Sequence, residues 1–317
     1  MRTITALFVG LGSIGTRHLK NLANLCADRG WTLQADALRS DLTRPLRPGA
    51  AELLHAQYTD LAAAPAHYDM VFITNPTSLH AEALRQVKGR GEALFIEKPI
   101  FSAEQTGLAL AELLPAGQKA YVAAPMRWCG AMLALKDRLP ALHPYCARVI
   151  CSSYLPDWRP GVDYRTVYSA RKALGGGVTI DLIHEWDYLV ELFGVPEKLY
   201  NFKGTYSELE IDSDDLSVYI AKYPTLLAEV HLDYFGRGYR RSIELFCRDG
   251  SYLADFGKGT LTLPDGTVQH YEEDVNRRYE REMEYFVDYA LTSCGESCNP
   301  PALALKVLKL TLGENVQ

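Results

Sequence analysis

Nowhere in the 317 residues is there a run of the ~18 uninterrupted apolar residues that a membrane-spanning helix requires. The short apolar stretch at the N-terminus passes into glycines rather than into a small-residue cleavage site. A soluble, cytoplasmic protein is expected. There is no block of basic residues either: Lys and Arg number 33 against 39 Asp and Glu, a formal net charge of -6, so neither nucleic acid nor an anionic membrane is an expected partner. Cysteine is sparse and irregular. The seven cysteines are odd in number, and Cys26, Cys151 and Cys247 sit in apolar runs, so the pattern excludes a disulfide framework and suits a reducing compartment. Cys294 and Cys298 form a lone C-x3-C with no second pair to complete four ligands, and no metal is expected there. Internal repeats and low-complexity tracts are also missing. What remains, 48% hydrophobic and 23% charged residues, is ordinary globular composition, and the length favours two domains over one core.

Residues 3–9 are a short apolar run closed by glycine, the pattern of a strand buried on both faces of a parallel sheet. Ile14, Leu19, Leu22 and Leu25 follow at helical spacing up to Gly30, and residues 32–38 resume an extended pattern. Further strands are expected at 70–74, 93–96 and 121–124, with helices over about 78–88 and over 102–114, the second opened by the capping box Ser102-Ala-Glu-Gln105. This alternation predicts a doubly wound parallel sheet over residues 1–123. Beyond it the pattern changes. A strand at 149–154, one long helix over 177–193 closed by Gly194, six strands between 198 and 263, and helices at 276–291 and 302–312 predict an α+β domain over 124–317. Its sheet is expected to be largely antiparallel and open-faced. One face of such a sheet is covered by helices and the other needs covering, so a homodimer or homotetramer is expected.

Gly10-Leu11-Gly12-Ser13-Ile14-Gly15 directly follows the first strand and opens the first helix. In that context the first glycine permits a tight turn, the second lets a pyrophosphate approach the backbone, and the third allows close packing of helix on strand. Gly10, Gly12, Ser13, Ile14 and Gly15 are therefore candidate cofactor contacts. Where an acid would accept the ribose hydroxyl of NAD, the second strand ends in Ala37-Leu38-Arg39-Ser40. A guanidinium and a hydroxyl suit a 2′-phosphate, so Arg39 and Ser40 favour NADP(H) over NAD(H). The alternative is a register slip in which Asp36 or Asp41 is the ribose acid.

Glu97-Lys98-Pro99 follows a buried strand at the carboxyl edge of the sheet, where ligands of doubly wound folds bind. Together with the strand, the G-x-G-x-x-G turn, the segment Thr74-Asn75-Pro76-x-x-x-His80, and a later Gly175-Gly176-Gly177 followed by Asp181 and His184, it makes the whole chain resemble the Gfo/Idh/MocA oxidoreductases. The resemblance implies an N-terminal Rossmann domain that binds NAD(P). By that resemblance Lys98 is a catalytic or orienting residue, Glu97 lies on the cofactor side, and Thr74, Asn75, Pro76 and His80 form a cofactor-facing loop.

On a helix starting at the glycine triplet, Asp181, His184, Glu185 and Asp187 are spaced to share one face. Histidine is suited to exchanging a proton with a hydroxyl near neutral pH. The commoner family pattern places His four residues after the Asp; here it is three. Either His184 keeps the role or Glu185 occupies the position. Upstream, Trp158, Arg159, Tyr164 and Arg165, with Tyr168 and Arg171 nearby, offer aromatic faces for a sugar ring and guanidiniums for an anion, and Arg127 is a second such candidate. These residues, with Asp181 and His184, are the expected substrate contacts. The combined expectation is a sugar or sugar-nucleotide dehydrogenase with Lys98, His184 and Asp181 as its catalytic groups; the D-x-x-H-E-x-D-Y form over 181–188 resembles a subgroup of the family associated with surface-polysaccharide sugars, which implies a place in their metabolism. A dinucleotide-binding redox sensor and a hydrolase using tightly bound NAD+ are the alternatives.

Overall fold

The computed structural model describes residues 2–292 and 295–316. It divides into two compact units, Met1–Ala123 with Tyr279–Leu305, and Ala124–Arg278 with Lys306–Gln317. The first unit holds a six-stranded parallel sheet built from β1 (Thr3–Val9), β2 (Thr32–Leu38), β3 (Leu54–Tyr58), β4 (Tyr68–Ile73), β5 (Gly91–Ile96) and β6 (Lys119–Val122). Its helices are α1 (Ser13–Asp28), α2 (His80–Gln86) and α3 (Leu110–Leu113). The strand order is β3-β2-β1-β4-β5-β6, so the order reverses between β1 and β4 and opens a crevice at their carboxyl ends. Both faces of the centre are buried: Ile4, Ala6, Leu7 and Phe8 of β1 have no exposed surface, as a strand in an all-parallel sheet requires.

The second unit carries an eight-stranded sheet. It comprises β7 (Cys146–Tyr154), β8 (Lys198–Gly204), β9 (Leu216–Lys222), β10 (Leu227–Asp233), β11 (Phe235–Cys247), β12 (Gly250–Asp255), β13 (Thr260–Thr262) and β14 (Val268–His270). The order is β14-β13-β12-β11-β7-β10-β9-β8. All pairs are antiparallel except β7 with β10. Burial alternates with period two. Ala147, Val149 and Cys151 of β7 and Ala228, Val230 and Leu232 of β10 are buried, while Arg148, Ile150, Glu229 and His231 face the other way. Around the sheet lie α4 (Gly130–Arg138), α5 (Val178–Asp181) and α6 (His184–Phe193), followed in the chain by α7 (Val275–Leu291) and α8 (Pro301–Thr311).

The parallel and open-faced antiparallel sheets match the expected fold class, and several expected elements are corrected. The single helix over 177–193 is two, broken at Leu182 and Ile183. A continuous helix would put Asp181 and Glu185 on one face, whereas here they are drawn to different partners. The capping box at Ser102 is formed, with both reciprocal bonds present, yet it opens only a turn at Ala103–Gln105. Gly107 follows within two residues of it, and glycine is a poor helix former. β3 went unrecognised because Leu54-His-Ala-Gln-Tyr58 is a half-exposed strand at the sheet edge, without a clear apolar period. The first unit includes Tyr279–Leu305 beside residues 1–123. The reason is apolar packing from α7: the Phe286 ring lies 5.4 Å from that of Phe72 and 5.1 Å from that of Phe95, and Tyr121 donates to Glu282 at 2.8 Å.

Candidate functional site

The turn between β1 and α1 is locked to the turn after β4. Gly10 has φ +83°, and a Cβ there would fall 2.7 Å from Asn75 Cα. One on Gly15 would fall 2.7 Å from Thr74 Oγ1. Thr74 Oγ1 donates to the Gly10 carbonyl at 2.6 Å, and the Gly10 N–H donates to Leu38 O at 2.9 Å. Gly12 is different. Its φ of -79° suits any residue and a Cβ on it would meet nothing within 4 Å, so no contact within the chain explains the glycine there. Approach of an external group to the backbone does.

Gly12 and Ser13 are exposed, no side chain caps α1, and its first N–H groups point outward to an anion. Asn75 Oδ1 and Thr16 Oγ1 are buried without a hydrogen-bond partner among the described residues. An open cradle, a free helix N-terminus and orphaned polar atoms fit a dinucleotide. Gly10, Gly12, Ser13, Ile14, Gly15, Thr74, Asn75 and Pro76 are thus gathered around one crevice.

Two buried histidines brace the turn that follows β5. His18 Nε2 meets Glu97 Oε1 at 2.6 Å, and Glu97 Oε2 accepts the Lys98 N–H at 3.0 Å. Burial opposes the Glu97 charge, but the His18 hydrogen bond, the charges of His18 and Lys98 and the Lys98 N–H together hold its carboxyl below the ordinary value. Glu97 therefore positions the Lys98 backbone. His80, expected to face the cofactor, is instead 1% exposed, with Nδ1 at 3.2 Å from Ile100 O and Nε2 at 3.0 Å from Asn75 O. Burial lowers its pKa; the neutral ring carries one N–H, so it donates to one of these two carbonyls and packs against the other, between the Asn75 loop and the Pro99-Ile100 segment. Lys98 is half-buried, and its Nζ has no hydrogen-bond or ion-pair partner among the described residues.

At the end of β2, Asp36 is 3% exposed and accepts Tyr68 OH at 2.8 Å, with His55 Nδ1 at 3.2 Å. Asp41 accepts the Thr43 N–H at 2.8 Å and its hydroxyl at 2.6 Å. Both alternative ribose acids are thus engaged within the chain. Arg39 donates to Gln57 Oε1 at 2.7 Å and to the Arg44 carbonyl, and Ser40 is exposed.

In the second unit the glycine triplet serves packing. A Cβ on Gly176 would fall 2.0 Å from Tyr168 O, and one on Gly177, at φ +133°, would fall 2.3 Å from Asp214 Oδ1. Asp214 accepts the Thr179 N–H at 2.9 Å and so fixes the start of α5. Asp181 is held between two phenols: Tyr168 OH donates to Oδ1 and Tyr234 OH to Oδ2, each at 2.5 Å. Burial first, then the Asp181 charge, raises both phenol pKa values, so both remain proton donors at neutral pH while each carboxylate oxygen retains capacity for a further donor.

Glu185 is fully buried in a two-point ion pair with Arg241, at 2.7 and 3.0 Å. His184 is half-exposed. Asp187 is engaged as well, because the Arg127 Nε and Nη2 donate to it at 2.9 and 2.8 Å while Nη1 reaches Glu191 at 2.6 Å. Arg127 is 3% exposed and serves this buried network instead of lying open to substrate. Trp158 stands edge-on to Tyr234 at 5.2 Å, and the Arg159 guanidinium lies over the Tyr168 ring at 5.9 Å. These two therefore pack on the aromatic pair that grips Asp181. Tyr164 OH instead accepts the Glu210 N–H at 3.2 Å. Arg165 is paired with Asp163 and Glu210, each at 2.9 Å. Sequence reasoning missed His18, Arg241 and the role of Tyr234, none of which lies in a local motif. No group of three or more metal-ligating side chains occurs among the described residues, and Cys294 of the C-x3-C pair lies outside them. No helix among the described residues is long and apolar enough to cross a membrane.

Residues 4–123 match the Gfo/Idh/MocA model, described as an oxidoreductase family with an NAD-binding Rossmann fold. An uncharacterized oxidoreductase of Bacillus subtilis (strain 168), YrbE, is 24% identical over 318 residues, covering 94% of this chain and 89% of that protein. A levoglucosan dehydrogenase solved with NADH and levoglucosan superposes with a TM-score of 0.81 at 15% identity, over 98% of this chain and 96% of its own. The WlbA dehydrogenase of Bordetella pertussis, solved with NADH and UDP-GlcNAcA, does so at 0.72 and 16% identity, over 98% and 95%. At these identities the solved structures establish the shared fold.

The Glu97 pKa is held below its ordinary 4.5, so its contribution to stability is complete above that pH and is lost as pH falls through the depressed folded value. Glu97→Gln is expected to cost about 1–3 kcal/mol at neutral pH. In urea unfolding the gap between wild type and variant should close below pH 4.5. A gap that stays constant with pH would contradict the ionised Glu97.

Proposed function

Because the chain belongs, through residues 4–123, to the Gfo/Idh/MocA oxidoreductases with their NAD-binding Rossmann fold, we propose that it is a dehydrogenase acting on a secondary alcohol, or the matching ketone, of a sugar or sugar nucleotide. The observation that carries this reading is Lys98: a cation whose Nζ makes no hydrogen bond or ion pair among the described residues, on a turn braced at the carboxyl edge of the parallel sheet. The dinucleotide supplies the hydride acceptor or donor when bound. Its pyrophosphate would be held by the Gly10–Gly15 turn and the α1 N-terminus. Lys98 orients the reacting oxygen, and His184 takes or returns the hydroxyl proton. Asp181, fixed by Tyr168 and Tyr234, offers its remaining lone pairs to a substrate hydroxyl.

Of the two candidates for the proton-transfer role, His184 is supported over Glu185, whose carboxylate is consumed by Arg241. The solved relatives carry NADH, levoglucosan and UDP-GlcNAcA, which supports a sugar-like substrate class. NADP(H) is favoured over NAD(H) for this chain because Asp36 is buried and bonded while Arg39 and Ser40 stand at the end of β2.

With a panel of sugars and sugar nucleotides and nicotinamide absorbance as readout, Lys98→Met and His184→Ala are each expected to lower kcat by roughly 10²–10⁴ while NADPH still binds. If His184→Ala turns over like wild type and Glu185→Gln does not, the role passes to Glu185.

The outward face of the second sheet includes Phe202, 74% exposed, and Ile220, 38% exposed, with Val218 paired to Phe202 and Ile150 farther along the same row, beyond His231 of β10. We propose that a second copy covers this face. Sedimentation should give a dimer or tetramer at micromolar concentration; a monomer would contradict it.

A further inference from the structure

The connection between β2 and β3 has no long helix. It runs as Asp41-Leu-Thr-Arg44-Pro45-Leu46-Arg47-Pro48-Gly49, and residues 45–47 are neither helix nor strand. Each of the two arginines precedes a proline, which restricts it to extended backbone.

This segment borders a pocket of about 420 Å³ lined by Arg39, Arg44, Arg47, Gln57 and Glu52, among others. Three guanidiniums thus face one carboxylate. Arg44 sits 3.5 Å from Asp41, which does not line the pocket, and Lys20 Nζ of α1 packs against Gly49. Arg47 is exposed; its carbonyl accepts the Ala50 N–H at 3.1 Å, while its guanidinium has no hydrogen-bond or ion-pair partner among the described residues. Gln57 and the Arg44 carbonyl hold the Arg39 guanidinium at the pocket wall.

The location of the pocket narrows its ligand. The Gly10 N–H is bonded to Leu38 O, so the pyrophosphate turn and the end of β2 are adjacent, and the adenosine ribose of a dinucleotide seated on that turn falls beside Arg39. We propose that Arg47, with Arg44 beside it, forms the second half of a phosphomonoester pocket that Arg39 begins, and that this pocket takes the 2′-phosphate of NADP(H). The inference rests on the NADP reading above and extends it to residues outside the β2 terminus. Arg47 supplies a paired donor and charge to the dianion. Arg44 supplies charge, and its carbonyl orients Arg39.

The test is fluorescence titration of the full chain with NADPH and NADH, and competition by 2′,5′-ADP and by ADP, for wild type, Arg47→Ala, Arg44→Ala, Arg39→Ala and Arg47→Lys. Arg47→Ala is expected to weaken NADPH and 2′,5′-ADP about 10- to 100-fold, as loss of a charged hydrogen bond does. NADH and ADP should stay within about twofold, which also shows that the variant is folded. Arg44→Ala should follow in the same direction by less, and Arg47→Lys should retain part of the preference. A wild type that prefers NADPH, with a preference lost in Arg39→Ala and intact in Arg47→Ala, overturns the inference and leaves the NADP reading standing. Equal wild-type affinity for NADPH and NADH overturns both.

Discussion

The contact on which the first unit's site depends is the approach of Gly10 and Gly15 to Thr74 and Asn75. A methyl group at either glycine would collide with the loop after β4, and such overlap forces backbone movement in a close-packed interior. The contact brings the β1–α1 turn and the β4 turn to the point where the strand order reverses. From there contacts carry the geometry outward: a hydrogen bond joins Gly10 to Leu38 at the end of β2, and the buried His80 ring lies between the Asn75 and Ile100 carbonyls, just past Lys98. The anion cradle, the ribose end and the lysine turn therefore share one rigid frame.

Against that frame the distribution of charge is informative. Burying a carboxylate is costly unless it is paired and hydrogen-bonded. Glu97 has His18, Glu185 has Arg241, Asp187 has Arg127, and Asp181 has two phenols. The chain matches its buried carboxylates closely, and the Nζ of the half-buried Lys98 makes no hydrogen bond or ion pair among the described residues. Pairing inside the chain also distinguishes the members of the D-x-x-H-E-x-D segment: Glu185 and Asp187 hold helix to sheet and neighbouring turn, and His184 is the more accessible titratable group.

Local signals were legible in the sequence. The G-x-G-x-x-G turn, the E-K-P turn and the capping box at Ser102 each depend on residues a few positions apart, and each forms. Long-range choices were not. The break in the helix after Asp181 comes from partners at Tyr168, Tyr234 and Arg241, which no periodicity within 177–193 encodes. α7 packs on β4 and β5 through Phe286, although it follows the whole second sheet in the chain. His80 fits a cofactor-loop motif and is buried as a brace, because burial depends on the packed fold and not on spacing. Arg127 shows the same limit: a guanidinium suited to a substrate anion has been matched inside the chain. The R-P-L-R-P stretch was visible as letters, and only its position beside Arg39 gives it meaning.

The central claim is that the Gly10–Gly15 turn and the open α1 N-terminus hold a dinucleotide. The N–H groups of Ser13, Ile14 and Gly15 have no carbonyl partner within the helix and should exchange quickly in the free protein. Amide hydrogen exchange with and without saturating NADP+ tests this directly. The account predicts slowed exchange in the segment 10–16, together with the turns at Asn75 and Lys98. Unchanged exchange over 10–16 under saturating cofactor would contradict it.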